Sequence, residues 1–379
     1  MRTRSSPTSP PMRSALRSEH GFSLTELMVT TTITLVITGA ALGSFRQGLS
    51  MSDHAAQFAD VNQNLRAGVN QMVKDLMQAG RIIGPEGVPI PSGAGAAPVR
   101  RPAPPGVTLT FDTASTTNMP DITTGYAIGP TVNGQPTDIV TIISVDAFMP
   151  AVETPPSGGV DPNEGTIDPS GASVTLPANS LWIAGDPAND TPPIRVGDII
   201  LFKNPRGMAM QTVTRVDATR IYFDAGDWFG LNQRNAAQGT LMQIKDTTNP
   251  ATAWVDRTSL FRLLMVTYFV DATTTPTSPR LMRQVNNFTP QALAGVVEDL
   301  DLTYDLVDGV NNPADIPELP YTDTTAGVTY SANQIRKVNI HVGVRSEASS
   351  RLEQDYVRNH ISTAVDVRSL ASVDRYVAE

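Results

Sequence analysis

The 379-residue sequence contains no cysteine, which excludes a disulfide framework and any thiolate-ligated metal centre. Histidine is nearly as scarce, with only His20, His54, His341 and His360. No H-E-x-x-H, G-x-S-x-G or P-loop pattern occurs, so the sequence signatures of zinc proteases, serine hydrolases and phosphate-binding loops are missing. Charge is sparse at 17% and acidic in balance, with a net charge of −9. Such a chain is poorly suited to broad non-specific nucleic-acid binding, which needs Lys/Arg patches to displace counterions.

What the sequence does have is one long apolar run near its start. From Phe22 to Phe45 there is no Lys or Arg, and Glu26 is the single ionisable side chain. A helix of that length spans about 36 Å, enough to cross the hydrocarbon core of a bilayer. A cleaved secretory signal fits poorly. Its apolar core is about 7–15 residues long, whereas this run continues past the small residues Ala40 and Ala41. A carboxylate inside such a segment is costly alone and tolerable when paired, so Glu26 calls for a partner. The preceding residues 1–21 carry Arg2, Arg4, Arg13 and Arg17 against Glu19, a basic flank that the positive-inside rule keeps on the cytoplasmic side. This leader is Pro/Ser-rich in its first half, and Met12 offers an alternative start to Met1.

Gly21-Phe22-Ser23-Leu24-Thr25-Glu26, with the apolar run behind it, resembles the class III signal of type IV prepilins and type II secretion pseudopilins. The resemblance implies that a prepilin peptidase cuts between Gly21 and Phe22 on the cytoplasmic side and that Phe22 becomes an N-methylated terminus. It also implies that the helix is retained, and that Glu26 neutralises the N-terminal ammonium of a neighbouring subunit during assembly. Many pilins close a C-terminal loop with a disulfide, which this chain cannot do.

Beyond the membrane segment (22–45) the helical pattern continues over 46–83. Phe58, Val61, Leu65, Gly68, Met72, Leu76 and Ala79 recur at steps of three and four, an apolar stripe expected to pack on the chain's own body. Asp60, Asn62, Gln63, Arg66, Asn70, Lys74, Asp75 and Gln78 occupy the other faces. Gly39, Gly43 and Gly48 lie near the junction, where local bending or melting fits their low helix propensity. Pro85 and the Pro/Gly-rich stretch 84–106 are expected to end the helix and form a linker.

Residues 107–379 read as β-rich, so the fold class is α+β: a long N-terminal helix followed by a large antiparallel β domain. Candidate strands are 107–111, 138–145, 198–202, 209–216, 220–224, 261–270, 280–285, 299–307 and 336–345, several of them alternating apolar and polar residues. Turn-rich segments at 150–197 and 308–333 separate them. The domain reads as one sheet system or as two lobes divided near 247–258. The run from "LLMVTYFV" through "VVEDLDLTYDL" to "IRKVNIHVGVRS" resembles the PilW-type minor pilins, and the ending is also similar to the bulky J-kind pseudopilins of type II secretion.

Few other residues carry chemistry. "DPNEGTID" places Asp161, Asn163 and Asp168 around Gly165, loosely like a calcium loop, and is read as an acidic turn with calcium as the weaker alternative. His341 reads as a strand residue rather than a catalytic base. Trp182, Trp228 and Trp254 read as packing residues rather than a sugar platform. The expectation is a non-enzymatic protein without cofactor: a low-copy minor pilin that helps initiate or cap a type IV pilus. The alternatives are a J-kind pseudopilin and a pilin-anchored adhesin. The resemblance implies as partners the peptidase, the major and other minor pilins, an inner-membrane assembly platform and a large tip adhesin. It places the precursor in the inner membrane with its body in the periplasm, and the assembled protein at the pilus tip or cell surface.

Overall fold

A computed structural model describes residues 21–84, 86–111, 116–155, 164–177, 179–245, 254, 256–350 and 355–367. The chain opens with a single helix, α1 (Leu24–Gln78), 55 residues long. It runs unbroken through Gly39, Gly43 and Gly48, so the helix does not melt at the junction. A glycine weakens a helix by only about 1 kcal/mol relative to alanine, and the long hydrogen-bonded segments on either side outweigh that. The apolar stripe behaves as read over most of its length: Val61, Leu65, Gly68, Met72 and Leu76 are buried, and Val69 joins them. Phe58 does not, and is 45% exposed.

Ten strands make up the large antiparallel sheet: β1 (Ile122–Thr123), β2 (Val140–Val145), β3 (Val152–Thr154), β4 (Ile199–Asn204), β5 (Gly207–Thr212), β6 (Thr258–Asp271), β7 (Arg280–Val285), β8 (Gln291–Leu306), β9 (Ile335–Ser349) and β10 (Tyr356–Asp366). The order is β5-β4-β6-β7-β8-β9-β10, with β2 and β3 also pairing β6, and β1 pairing β2. The 14-residue β6 is the spine: its first half pairs β3 and β4, and its second half pairs β2 and β7. Its side chains enter three hydrophobic cores. Val266, Tyr268 and Val270 meet the stripe of α1 and the inner faces of β8 and β9. Leu260 joins Trp182, Trp254, Phe202 and Phe223, and Leu263 and Met265 pack with Ile90, Val99 and Leu201. The lobe division expected near 247–258 falls mostly outside the described residues. A strand that starts at Thr258 and serves all three cores ties the body together.

Three readings of the sequence need correction. Residues 84–106 are not a free linker: short strands Val88–Pro89 and Val99–Arg101 lie within them, and Val88, Ile90 and Val99 are fully buried. Backbone bonds from Ile90 N to Thr117 O and from Arg100 N to Phe229 O stitch the segment down. The Pro/Gly content ends the helix as expected, and the apolar residues between those breakers then fill a core. The candidate strand 209–216 is two: β5 ends at Thr212, and Arg215–Val216 pairs with Arg220–Tyr222 in a separate four-stranded sheet. The switch occurs where Val213 N bonds Asp198 O and Thr214 N bonds Tyr222 O. Finally, β10 has no counterpart among the expected strands.

Helix α1 ends where the chain must turn sharply onto the sheet. Gly80 sits at φ +70°, and a Cβ there would lie 2.3 Å from Asp121 Oδ2, so only glycine fits.

Candidate functional site

The first half of α1 makes the candidate site. Ser23 is its N-cap: its Oγ accepts from Glu26 N at 3.2 Å, while Glu26 Oε2 accepts from Ser23 N at 3.0 Å and from Ser23 Oγ at 3.0 Å. This is a capping box, which satisfies two amide donors that a helix start otherwise leaves unpaired. Gly21 and Phe22 precede it on exposed extended chain, with Phe22 80% exposed. The bond between them is therefore not covered by the protein's own body. Glu26 is held by Ser23 within the first turn of the helix.

From Leu24 to Leu49 the apolar side chains project outward without packing on the body; Leu24, Leu35, Val36 and Leu42 are all more than three-fifths exposed. One 18-residue window of α1 reaches a mean hydropathy of 1.6 with none of it buried, so the helix is long and apolar enough to cross a membrane. The threonine-rich start of this segment is compatible with lipid for a local reason. Thr30, Thr31, Thr32 and Thr34 each return their hydroxyl to the carbonyl four residues back, at 2.7–2.8 Å. These four hydroxyls are therefore not left to face hydrocarbon unpaired.

The second half of α1 fixes this exposed helix to the body. Asp75, expected on a solvent face, is instead half-buried: its Oδ2 accepts from Arg283 Nε on β7 at 2.6 Å and from Tyr268 OH on β6 at 2.6 Å. Burial pushes the Tyr268 hydroxyl's pKa up, and the Asp75 charge beside it adds to this. Burial pulls the Arg283 guanidinium down, but the Asp75 hydrogen bond and charge outweigh it and leave it raised. The sequence carried a faint signal: Asp75 directly precedes stripe residue Leu76 and follows Met72 by three, at the margin of the apolar face. Nearer the membrane, Asn359 Nδ2 on β10 bonds Asn62 Oδ1 at 2.6 Å.

The other candidates are dispersed. Asp161 and Asn163, two of the three oxygen ligands of the calcium alternative, lie outside the described residues. Asp168 is engaged by Ser170, whose amide and hydroxyl bond its Oδ1 and hold its pKa below the usual carboxylate value. Trp182 and Trp254 are buried in one core, while Trp228 is 38% exposed and packs edge-on against Phe229. His341 lies half-exposed on the outer face of β9.

Residues 16–42 match the family described as the prokaryotic N-terminal methylation motif. No curated protein matches the chain. Among solved structures, a type IV-like pilin from Thermus thermophilus, TTHA1219, is similar over 47% of this chain and 87% of that one, at 9% identity and a TM-score of 0.17. That likeness is too slight to add to the fold. The match to the methylation motif coincides with the capped, outward-facing start of α1, a helix long and apolar enough to cross a membrane.

Proposed function

We propose that the protein is a minor pilin of the PilW type, cut between Gly21 and Phe22, that helps initiate or cap a type IV pilus in few copies. The observation that carries this reading is the first half of α1: an apolar surface that its own body leaves bare, rigidly continued into a helix anchored by Asp75 and Arg283. In the membrane that surface meets lipid; in a filament it meets the helices of other subunits. Glu26 supports the same reading. Its carboxylate is satisfied within its own helix by Ser23, so it can wait in the precursor without a partner. After cleavage the Phe22 amine becomes an ammonium, and a neighbour's ammonium offers a stronger, charge-assisted partner than a serine hydroxyl. The bulk of the β body favours a filament end over a shaft.

The test is direct. Mass analysis of the membrane-extracted protein should find it beginning at N-methylated Phe22. Gly21→Val should block cutting, because a branched side chain crowds a site that accepts glycine. A chain that still starts at Met1 or Met12, or one cut after Ala41, overturns the reading. Glu26→Ala should insert into the membrane as well as wild type, since it removes a costly charge. It should, however, co-purify less with other pilins; undiminished co-purification removes the pairing role. Deleting the protein should abolish filaments, whereas an adhesin's loss leaves filaments that fail to attach and a pseudopilin's loss blocks secretion.

A further inference from the structure

The outer face of the last three strands gathers both histidines of the β domain beside two carboxylates. Residues that alternate toward α1 on β9, including Ile340 and Val342, are buried in the first core, so His341 and Gly343 point the other way. Register places Asp299 of β8 opposite Gly343, Asp301 opposite His341, and His360 of β10 opposite Gly343 from the far side. Gly343 therefore leaves a side-chain gap at the centre of the row Asp299–Gly343–His360, with His341 bordering it along β9. The imidazole rings of His341 and His360 are 5.7 Å apart, inclined at 38°. His341 Nε2 lies 3.7 Å from Asp299 Oδ2.

We propose that Asp299, His341 and His360 form a surface site for a borderline divalent transition metal, such as Zn2+, seated over Gly343. Two imidazoles and one carboxylate make an N2O donor set suited to zinc, copper or nickel rather than to calcium or magnesium, which prefer all-oxygen shells. Among the described residues no three such side chains already converge on one point. The site closes when the His360 side chain turns toward the gap, a movement that its exposed position on the edge strand allows. The 3.7 Å between His341 Nε2 and Asp299 Oδ2 is close to the roughly 3.3 Å separating two donors held about 2 Å from a tetrahedral ion. His341 is also oriented for the task. Its Nδ1 is 2.8 Å from Ser362 Oγ, so a hydrogen bond there directs Nε2 toward Asp299, the outer-shell arrangement usual for metal-bound histidine. The fourth tetrahedral position falls to water.

The experiment is equilibrium dialysis of the detergent-solubilised full chain against ZnCl2. One Zn2+ per chain should bind saturably. His341→Ala and His360→Ala should each weaken binding at least tenfold, and Ser362→Ala, which removes only the orienting bond, by about 10–100-fold. Gly343→Ala should also weaken it, since the added Cβ lies 3.2 Å from Asp299 Cβ and fills the gap. His54→Ala, on the helix, should bind as wild type. Metal-free thermal melts verify that each variant folds, with glutamine replacing alanine at either histidine if one does not. Absence of saturable binding to wild type, or binding undiminished in both histidine variants, overturns the proposal.

Discussion

At the scale of single residues, the most consequential side chains are acids placed where sequence alone would not put them. Asp121 is fully buried, and neither carboxylate oxygen has a hydrogen-bond partner among the described residues. Burial pushes its pKa up to about 7. The folded protein therefore keeps this proton at pH values where the unfolded chain, titrating near the ordinary aspartate value of about 3.9, has released it. Stability from this group is complete below about pH 4 and is lost as pH rises toward 7, by up to about 1.4 kcal/mol per unit. Urea unfolding at pH 5 and pH 8 should show wild type losing stability over that interval. Asp121→Asn should lose less and be the more stable of the two at pH 8; equal pH dependence in both proteins refutes the assignment. Asp75 shows the opposite outcome for a buried acid, since Arg283 and Tyr268 satisfy it. The environment of Asp121 was not legible in the sequence and that of Asp75 only faintly, because both depend on which strand end reaches the helix terminus. By contrast, Gly21, Phe22 and Glu26 could be singled out directly: the roles proposed for them rest on order along the chain and on one charge in an apolar run, and neither needs a tertiary contact to be seen.

At the scale of elements, periodicity reported faithfully wherever one face of an element is buried and the other is not. The stripe from Val61 to Leu76 was legible for that reason, as were the cores of β8 and β9, whereas β6, buried on both faces over its second half, showed as a continuous apolar run. Strand β10 was not, because its helix-facing residues Asn359, Ile361 and Thr363 are mixed in character and only partly covered, leaving no clean alternation. The segment 84–106 departs from the expected linker because helix-breaking residues act on conformation and say nothing about burial, so the apolar residues between them are free to fill a core. The seating of α1 on the sheet can be tested at two positions. Leu65 is fully buried, so Leu65→Ala should cost about 2–5 kcal/mol in urea unfolding. Gly68 allows the close approach: a Cβ there would lie 3.2 Å from Ala294 Cβ and 3.4 Å from Leu281 Cδ2. Gly68→Leu should therefore force α1 outward and destabilise the body by an amount typical of overpacking, about 1–3 kcal/mol. If Gly68→Leu melts with wild type, the helix is not held as tightly as these contacts require.

At the scale of the whole molecule, the argument turns on bulk carried by one helix. A shaft repeats identical contacts around a bundle of helices, so each subunit's outer domain must fit beside neighbours above, below and to the sides. Here the body spans from the end of α1 at Gln78 to Val367, builds three cores around a ten-stranded sheet, and adds a separate four-stranded sheet between residues 166 and 222. The second core, around Trp182 and Phe223, is supplied by strands β4 and β5 and the smaller sheet and includes no residue of α1. It thus enlarges the body without strengthening the hold on the helix. Bulk of this kind is unrestricted only at a filament end, where one side has no neighbour. Gold-labelled antibody against residues 107–379 should accordingly mark filament tips or their base at the cell surface, in few copies per filament. Regular labelling along the shaft would mean that the outer sheet packs between successive turns, and the proposed place at the tip would then be wrong.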